Sequence, residues 1–349
     1  MKIETILKLV LIFAVAVIIG GAARAQEESG EEAPEKVNVE EIFEVVGKMD
    51  LGREIIFMWW TDEIWASMAY NDRNSEAMLG YTLTSVMNRE YLIFAPISAT
   101  GGVAPGFDGT PVLKNDRGQK VEAVPVHDSY NAMLPGMIAF PTSDAEGERV
   151  FTDETEWLTV AVNYEGDDKT AKYTWHLPLD YPDFVEAAYK WLDGRRNMDP
   201  ALLSEDEVMF SFLGDSFRMD IGSGLMAAPM PKELFEMFLQ NDPEVRDDPI
   251  MRKLIEMIIS DYTFFLVMTF DMKNDPGRVE TLVDGAVAVN AAGETLERDL
   301  EAEKTFADAD VAGGDEFMTV VFPRIGDERP VKLILTDPET EEKITFTWE

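Results

Sequence analysis

Thr159-Val160-Ala161-Val162-Asn163-Tyr164, then Glu165-Gly166-Asp167-Asp168, then Ala171-Lys172-Tyr173-Thr174-Trp175-His176-Leu177, is the stretch on which the fold turns. Apolar and polar residues alternate on both sides of an acidic Gly-Asp turn, which is the period-two pattern of strands with one face in a core. The spacing predicts an antiparallel hairpin, with Trp157, Trp175 and the valines packed together. Outward from it, residues 81–180 are rich in Val, Thr, Tyr and Phe in short runs. Gly101-Gly102 and Asn115-Asp116-Arg117-Gly118 punctuate them, so the whole stretch is expected to be an all-β unit.

A second β stretch, 262–349, runs from Tyr262-Thr263-Phe264-Phe265 to Ile344-Thr345-Phe346-Thr347-Trp348 and resembles the first. Glu156–Ala161 aligns with Glu316–Val321 without a gap, and the same register carries Gly166-Asp167 onto Gly326-Asp327. Val112, Asn115, Gly118 and Glu122 align with Val287, Asn290, Gly293 and Glu297, and Tyr81-Thr82 with Tyr262-Thr263. Thr174-Trp175 and Thr347-Trp348 close the two copies. Short strands at this spacing suit immunoglobulin-like sandwiches. The expected fold class is therefore α+β: two related immunoglobulin-like β-sandwich units with helical segments preceding each.

The remaining pieces follow from composition and period. Residues 1–25 combine Lys2 and Lys8, an apolar run from Leu9 to Ile19 and an Ala23-Arg24-Ala25 cleavage pattern, so they are expected to be a signal peptide. An uncleaved signal would instead act as an anchor. Residues 26–41 hold seven Glu and almost nothing apolar, which predicts a disordered acidic leader. Residues 42–80 carry apolar residues at helical spacing and form the helical lead. Residues 181–261 form a helical connecting segment: Pro182 opens a helix stopped by Gly194, Pro231 opens a second, and Pro249 opens a third with an apolar stripe.

Charge and residue inventory narrow the chemistry. The chain has 67 acidic and 30 basic side chains and a net charge of −37; removing Glu4, Lys2, Lys8 and Arg24 with the signal takes it to −39. Such a surface repels phosphate backbones, which excludes nucleic acid as a partner class. No later stretch reaches the roughly 18 apolar residues of a spanning helix. With no cysteine and only His127 and His176, ordinary zinc and copper(II) sites cannot be assembled. The ten methionines between Met198 and Met272 fit core filling better than copper(I) binding.

Three motifs bear on function. Val208–Leu213 running into Gly214-Asp215-Ser216 resembles the nucleophile block of the GDSL hydrolases. That family needs a histidine downstream of the serine, and both histidines here lie upstream. Asp308, Asp310, Asp315 and Glu316, with Gly313 and Gly314 among them, form an acidic loop suited to calcium, although it departs from the EF-hand pattern at Ala312 and Thr319. Trp59, Trp60 and Trp65 form the densest aromatic cluster. Their helical spacing leaves at least one ring free to stack on a sugar or a partner, against the plainer reading of core packing.

The sum is an exported, acidic, non-enzymatic binding or assembly protein of the periplasm or cell surface. Its expected partner is another protein or an envelope component. No cofactor is required by any motif, and calcium is the one cation the acidic loop would take. A carboxylate-based hydrolase and a calcium-dependent adhesion module are the alternatives.

Overall fold

Asn115 and Asn290 head the same turn twice, and the rest of the architecture follows from that correspondence. In each copy the Asn side-chain oxygen accepts backbone N–H bonds from the residues two and four further on: Arg117 and Gln119 in the first, Ala292 and Glu294 in the second. Each Asn carbonyl accepts from a glycine, Gly118 or Gly293. Those glycines have φ of 84° and 81°, a left-handed conformation that glycine adopts without steric cost.

The computed structural model describes residues 36–349 except 73–74, 102–103, 129, 131–133, 197–215, 231–248, 270–275, 309–317 and 339. The chain divides into two compact units, residues up to 198 and residues from 199. Among the described residues it is mostly β, with four antiparallel four-stranded sheets. Unit 1 runs α1 (Glu40–Val46), β1 (Gly47–Asp50), β2 (Ile55–Trp59), α2 (Asp62–Asp72), α3 (Ser75–Glu90), β3 (Tyr91–Ser98), β4 (Val112–Asn115), β5 (Lys120–Glu122), β6 (Ile138–Pro141), β7 (Trp157–Val162), β8 (Ala171–His176) and α4 (Phe184–Arg196). Unit 2 runs β9 (Arg218–Asp220), β10 (Leu225–Pro229), α5 (Pro249–Asp261), β11 (Tyr262–Thr269), α6 (Pro276–Asp284), β12 (Val287–Val289), β13 (Thr295–Glu297), α7 (Leu300–Asp308), β14 (Met318–Pro323), β15 (Val331–Thr336) and β16 (Lys343–Trp348).

Strand order repeats between the units. One sheet is β1-β2-β3-β6 in unit 1 and β9-β10-β11-β14 in unit 2; the other is β5-β4-β7-β8 and β13-β12-β15-β16. Within each unit the two sheets share one core. In unit 1 Phe57 stacks on Tyr173 at 4.4 Å, and Phe94 lies 5.1 Å from Trp175. In unit 2 Phe265, Val267 and Phe322 of one sheet cluster with Leu333, Phe346 and Trp348 of the other. A tryptophan on the last strand closes each unit: Trp175 donates its indole N–H to the Val46 carbonyl at 2.7 Å, and Trp348 donates to that of Ser216. Both acceptors sit just ahead of the first strand, so the same latch joins the two ends of each unit.

Register defines the equivalences. Asp50↔Ile55 and Asp220↔Leu225 close matching hairpins, which superpose Met49-Asp50-Leu51-Gly52 on Met219-Asp220-Ile221-Gly222 at an offset of 170. Phe94↔Ile138 matches Phe265↔Val320, and Tyr91↔Pro141 matches Tyr262↔Pro323. The alignment of Asn115 with Asn290 and of Thr174-Trp175 with Thr347-Trp348 agrees with these registers. The gap-free alignment of Glu156–Ala161 with Glu316–Val321 does not: β7 corresponds to β15, and β14 to β6. Any two strands with one buried face share Thr and Val at alternate positions, so composition alone matched non-equivalent strands. Tyr262 likewise corresponds to Tyr91; Tyr81 lies in α3.

Other expectations shift for local reasons. The lead 42–80 contains a β hairpin, because Ile55–Trp59 is buried at every residue and so shows no alternation. Helix α3 continues to Glu90, ten residues into the stretch expected to be all β. Strands β9 and β10 fall inside the expected helical connection, and α6 and α7 interrupt the second β stretch. Helix α4 begins at Phe184, two residues after Pro182, and passes through Gly194 to Arg196. Helix α5 does begin at Pro249. The expected leader ends earlier than residue 41, since Val39 is buried and Glu40 opens α1. Residues 1–25, the leader to residue 35, Pro231 and the Gly214-Asp215 turn lie outside the described residues.

Candidate functional site

The helices α2 and α3 are inserted between β2 and β3 of unit 1, and the most distinctive chemistry of the described residues lies where they meet. Strand β2 ends at Trp59, whose ring packs 5.7 Å from Phe94, 6.1 Å from Trp175 and 5.6 Å from Phe151. Trp60 follows, with its backbone N–H on the Ile93 carbonyl at 2.9 Å, which turns the chain out of the sheet. Its ring lies 5.6 Å from that of Trp65 on α2 and 6.3 Å from Phe43 on α1. All three tryptophans are buried, so the expectation that one ring is free to stack on a ligand is not met. The physical reason is that Trp59 belongs to a strand, Trp60 to a bend and Trp65 to a helix, so helical spacing does not relate them.

Trp60 and Trp65 instead line a small cavity with Met87, Asn88, Tyr130 and Leu134. The Trp60 indole N–H is buried and has no hydrogen-bond partner among the described residues. Beside the cavity, Asp62 opens α2 and turns its carboxylate toward α3. Asn88 donates its amide N–H to Oδ1 at 2.7 Å, and Ser85 donates its hydroxyl to Oδ2 at 3.4 Å. Burial pushes the Asp62 carboxyl above the usual range; the Glu63 charge adds to that, while Asn88, Ser85 and Arg89 oppose it. On the α4 side, Tyr181 donates its phenol to Thr61 Oγ1 at 3.0 Å, and burial pushes the phenols of Tyr181 and Tyr189 upward with Glu63 and Asp62 reinforcing it. The Asp62 carboxylate thus accepts from neutral donors, and the Tyr181 phenol donates to a neutral hydroxyl.

A second polar cluster lies where the two sheets of unit 1 meet at one end. Arg53, after the β1–β2 tip, reaches Asp50 Oδ2 at 2.6 Å and Asp167 Oδ2 at 2.6 Å, and donates to the Lys169 carbonyl at 3.2 Å. Its guanidinium also lies 5.5 Å over the Tyr164 ring. Tyr173 donates to Asp50 Oδ2 at 3.3 Å, which leaves Tyr164 as donor in the 3.1 Å contact between the two phenols. Burial pushes Asp50 up, but the bonds and charge of Arg53, with the Tyr173 hydroxyl, outweigh it and hold the carboxyl low. The Lys169 backbone N–H and Arg53 hold Asp167 low as well. This arrangement ties one sheet's tip to the other's.

Of the acidic loop, Asp308 is the last residue of α7, and Asp310, Asp315 and Glu316 lie outside the described residues. Among the described residues no group of three or more His, Asp or Glu side chains stands at metal-holding distance. Asp62, Asn88 and Arg53 escaped sequence reasoning. Thr61-Asp62-Glu63 has the acidic helix-start composition that could have flagged Asp62, but nothing local signals that Asn88 faces it 26 residues on. No family model matches this chain, and comparison with curated proteins and with solved structures likewise returns no match.

Proposed function

We propose that this is an exported, acidic binding or assembly protein of the periplasm or cell surface, built from two related immunoglobulin-like sandwiches and acting on another protein or an envelope component. Two features support the fold half of the reading. The orders β6-β3-β2 and β5-β4-β7-β8 can be laid on strands E-B-A and C′-C-F-G of an immunoglobulin domain, with strand D missing and β1 added; β14-β11-β10 and β13-β12-β15-β16 follow suit. The export half rests on the N-terminal sequence, and the acidic surface is suited to basic or cation-bridged partners.

The binding half is carried by one observation. At the shared Met-Asp-(Leu/Ile)-Gly tip, Met49 and Leu51 of unit 1 are 40% and 81% exposed, whereas the equivalent Met219 and Ile221 of unit 2 are 2% and 0% exposed. Apolar side chains kept outward at a position that the sister unit buries are suited to a contact with something outside unit 1. The test is retention of envelope proteins by the immobilised chain and by a Met49→Ser, Leu51→Asp variant. Loss of specific retention in the variant supports the reading, and equal retention overturns it. A carboxylate hydrolase is the second reading, favoured by the upward-shifted pKa of the buried Asp62 carboxyl beside Glu63. Calcium-dependent adhesion would show as a rise in melting temperature with calcium that a chelator abolishes.

A further inference from the structure

We propose that Asp62 is a proton-operated bolt between α2 and α3, tightening the helical layer of unit 1 when it is protonated and loosening it when it is ionised. The geometry carries this. The carboxylate sits partly buried at the junction of three helices, and both side chains that donate to it, Asn88 and Ser85, are neutral. Of the charged groups acting on it, Glu63 follows it on its own helix and repels it, while Arg89 on α3 attracts it. From α4 and its lead come Tyr189 and Tyr181, whose phenols stay neutral over the same range. Helix α1 also packs against α2; it buries Ile42, Phe43 and Val46 and carries Glu40, Glu41 and Glu44. An ionised carboxylate at this position therefore faces one like charge on Glu63, one opposite charge on Arg89 and two neutral donors, and burial disfavours its charge.

Protonation changes one bond in a definite way. The Ser85 contact at 3.4 Å is long for an O–H···O bond. With a proton on Oδ2, Asp62 becomes the donor and the serine oxygen the acceptor, so the contact can shorten without placing charge beside Glu63. The sign follows from linkage. A carboxyl raised in the folded state binds more protons folded than unfolded between about pH 3.9 and the raised value. Stability of the layer is then greatest below that window and falls as pH rises through it. Trp65 on α2 and Met87 and Asn88 on α3 line the cavity beside Trp60, so loosening the layer opens that cavity.

The experiment is hydrogen exchange of the full chain, corrected for intrinsic rates, on peptides from α2 and α3 at pH 3.5 and pH 7.5, which bracket any raised carboxyl value, for wild type and Asp62→Asn. The expected result is a ratio of protection at pH 3.5 to protection at pH 7.5 that is several-fold higher in wild type than in Asp62→Asn. Equal pH dependence in the two proteins overturns the proposal. Should Asp62→Asn fail to fold, carbon NMR titration of the Asp62 carboxyl in wild type decides instead: a midpoint above the ordinary aspartate value supports the bolt, and one at or below it overturns it.

Discussion

The β1–β2 hairpin of unit 1 and the β9–β10 hairpin of unit 2 open on closely similar tips, Met-Asp-Leu-Gly and Met-Asp-Ile-Gly, with the same register, yet they close the ends of their units differently. In unit 1 the tip ends in Arg53, which spans to Asp167 on the other sheet, and Leu51 stays in solvent. In unit 2 Ser223 and Gly224 replace that end, the Asp220 carboxylate accepts the Ser223 backbone N–H at 2.7 Å, and Ile221 is fully buried. The cross-sheet phenol of Tyr173 is matched by Phe346. Unit 2 places its buried ion pair elsewhere: Arg298 joins Glu303 on α7 and the Val283 carbonyl, and Glu303 also accepts the Val321 backbone N–H at 2.9 Å. What the units share is backbone logic, namely strand order, the Asn-Gly turn and the tryptophan latch. What they do not share is the chemistry that fills the ends.

The shared parts should be the costliest to remove. Trp175→Ala and Trp348→Ala are each expected to destabilise their own unit by about 3–5 kcal/mol, since each deletes a buried indole and leaves a carbonyl unpaired. Urea unfolding followed by exchange in each unit would check this, and a strong loss in one unit only would break the equivalence. The ion pairs come next, and here the units should differ. Arg298→Ala strands the mostly buried Glu303, for a loss of about 3 kcal/mol. Arg53→Ala should have a smaller effect at neutral pH, because its partners are more exposed.

The turn asparagines come third and sharpen the contrast. Asn115 is buried and also donates to the Val150 carbonyl at 2.9 Å, so Asn115→Ala should cost about 1–3 kcal/mol. Asn290 is half-buried and donates its amide N–H to the exposed Glu294 carboxylate at 2.8 Å, so Asn290→Ala should cost about 1 kcal/mol. Smallest is a pH effect confined to unit 1. Asp50 and Asp167 are held low when folded, so the Arg53 clamp is fully present above about pH 3.9 and is lost as pH falls through the depressed values. The drop in melting temperature between pH 7 and pH 3 should shrink in Arg53→Ala. This dependence opposes that of Asp62, and their separation by variant distinguishes sheet end from helical layer.

The hairpin at 157–176, the β character of both halves, the α5 start at Pro249 and the Asn-Gly and Thr-Trp correspondences were legible in the chain because each depends on neighbours a few residues apart. Alternation, a helix-opening proline and a turn glycine act locally, so they leave local marks. Strand β2, with Ile55-Ile56-Phe57-Met58-Trp59 buried throughout, lacked alternation and passed for a helix. The matching of β7 to β14 failed for a related reason, since period-two patterns are interchangeable until hydrogen bonding assigns each strand a neighbour. The aromatic cluster was visible as composition, but its burial depends on α1, α2 and β3 closing over it.

The sequence by itself determined where turns fall, which residues are apolar at alternate positions, and that the chain carries no cysteine and a large negative charge. Only the tertiary structure decided which strands pair, that Arg53 meets Asp167 across 114 residues, that Asp62 meets Asn88, and that the same tip is covered in one unit and open in the other. Local conformation is set by forces acting over one or two turns of chain, whereas pairing and burial are set by what distant segments bring into contact, and no short stretch encodes its partner.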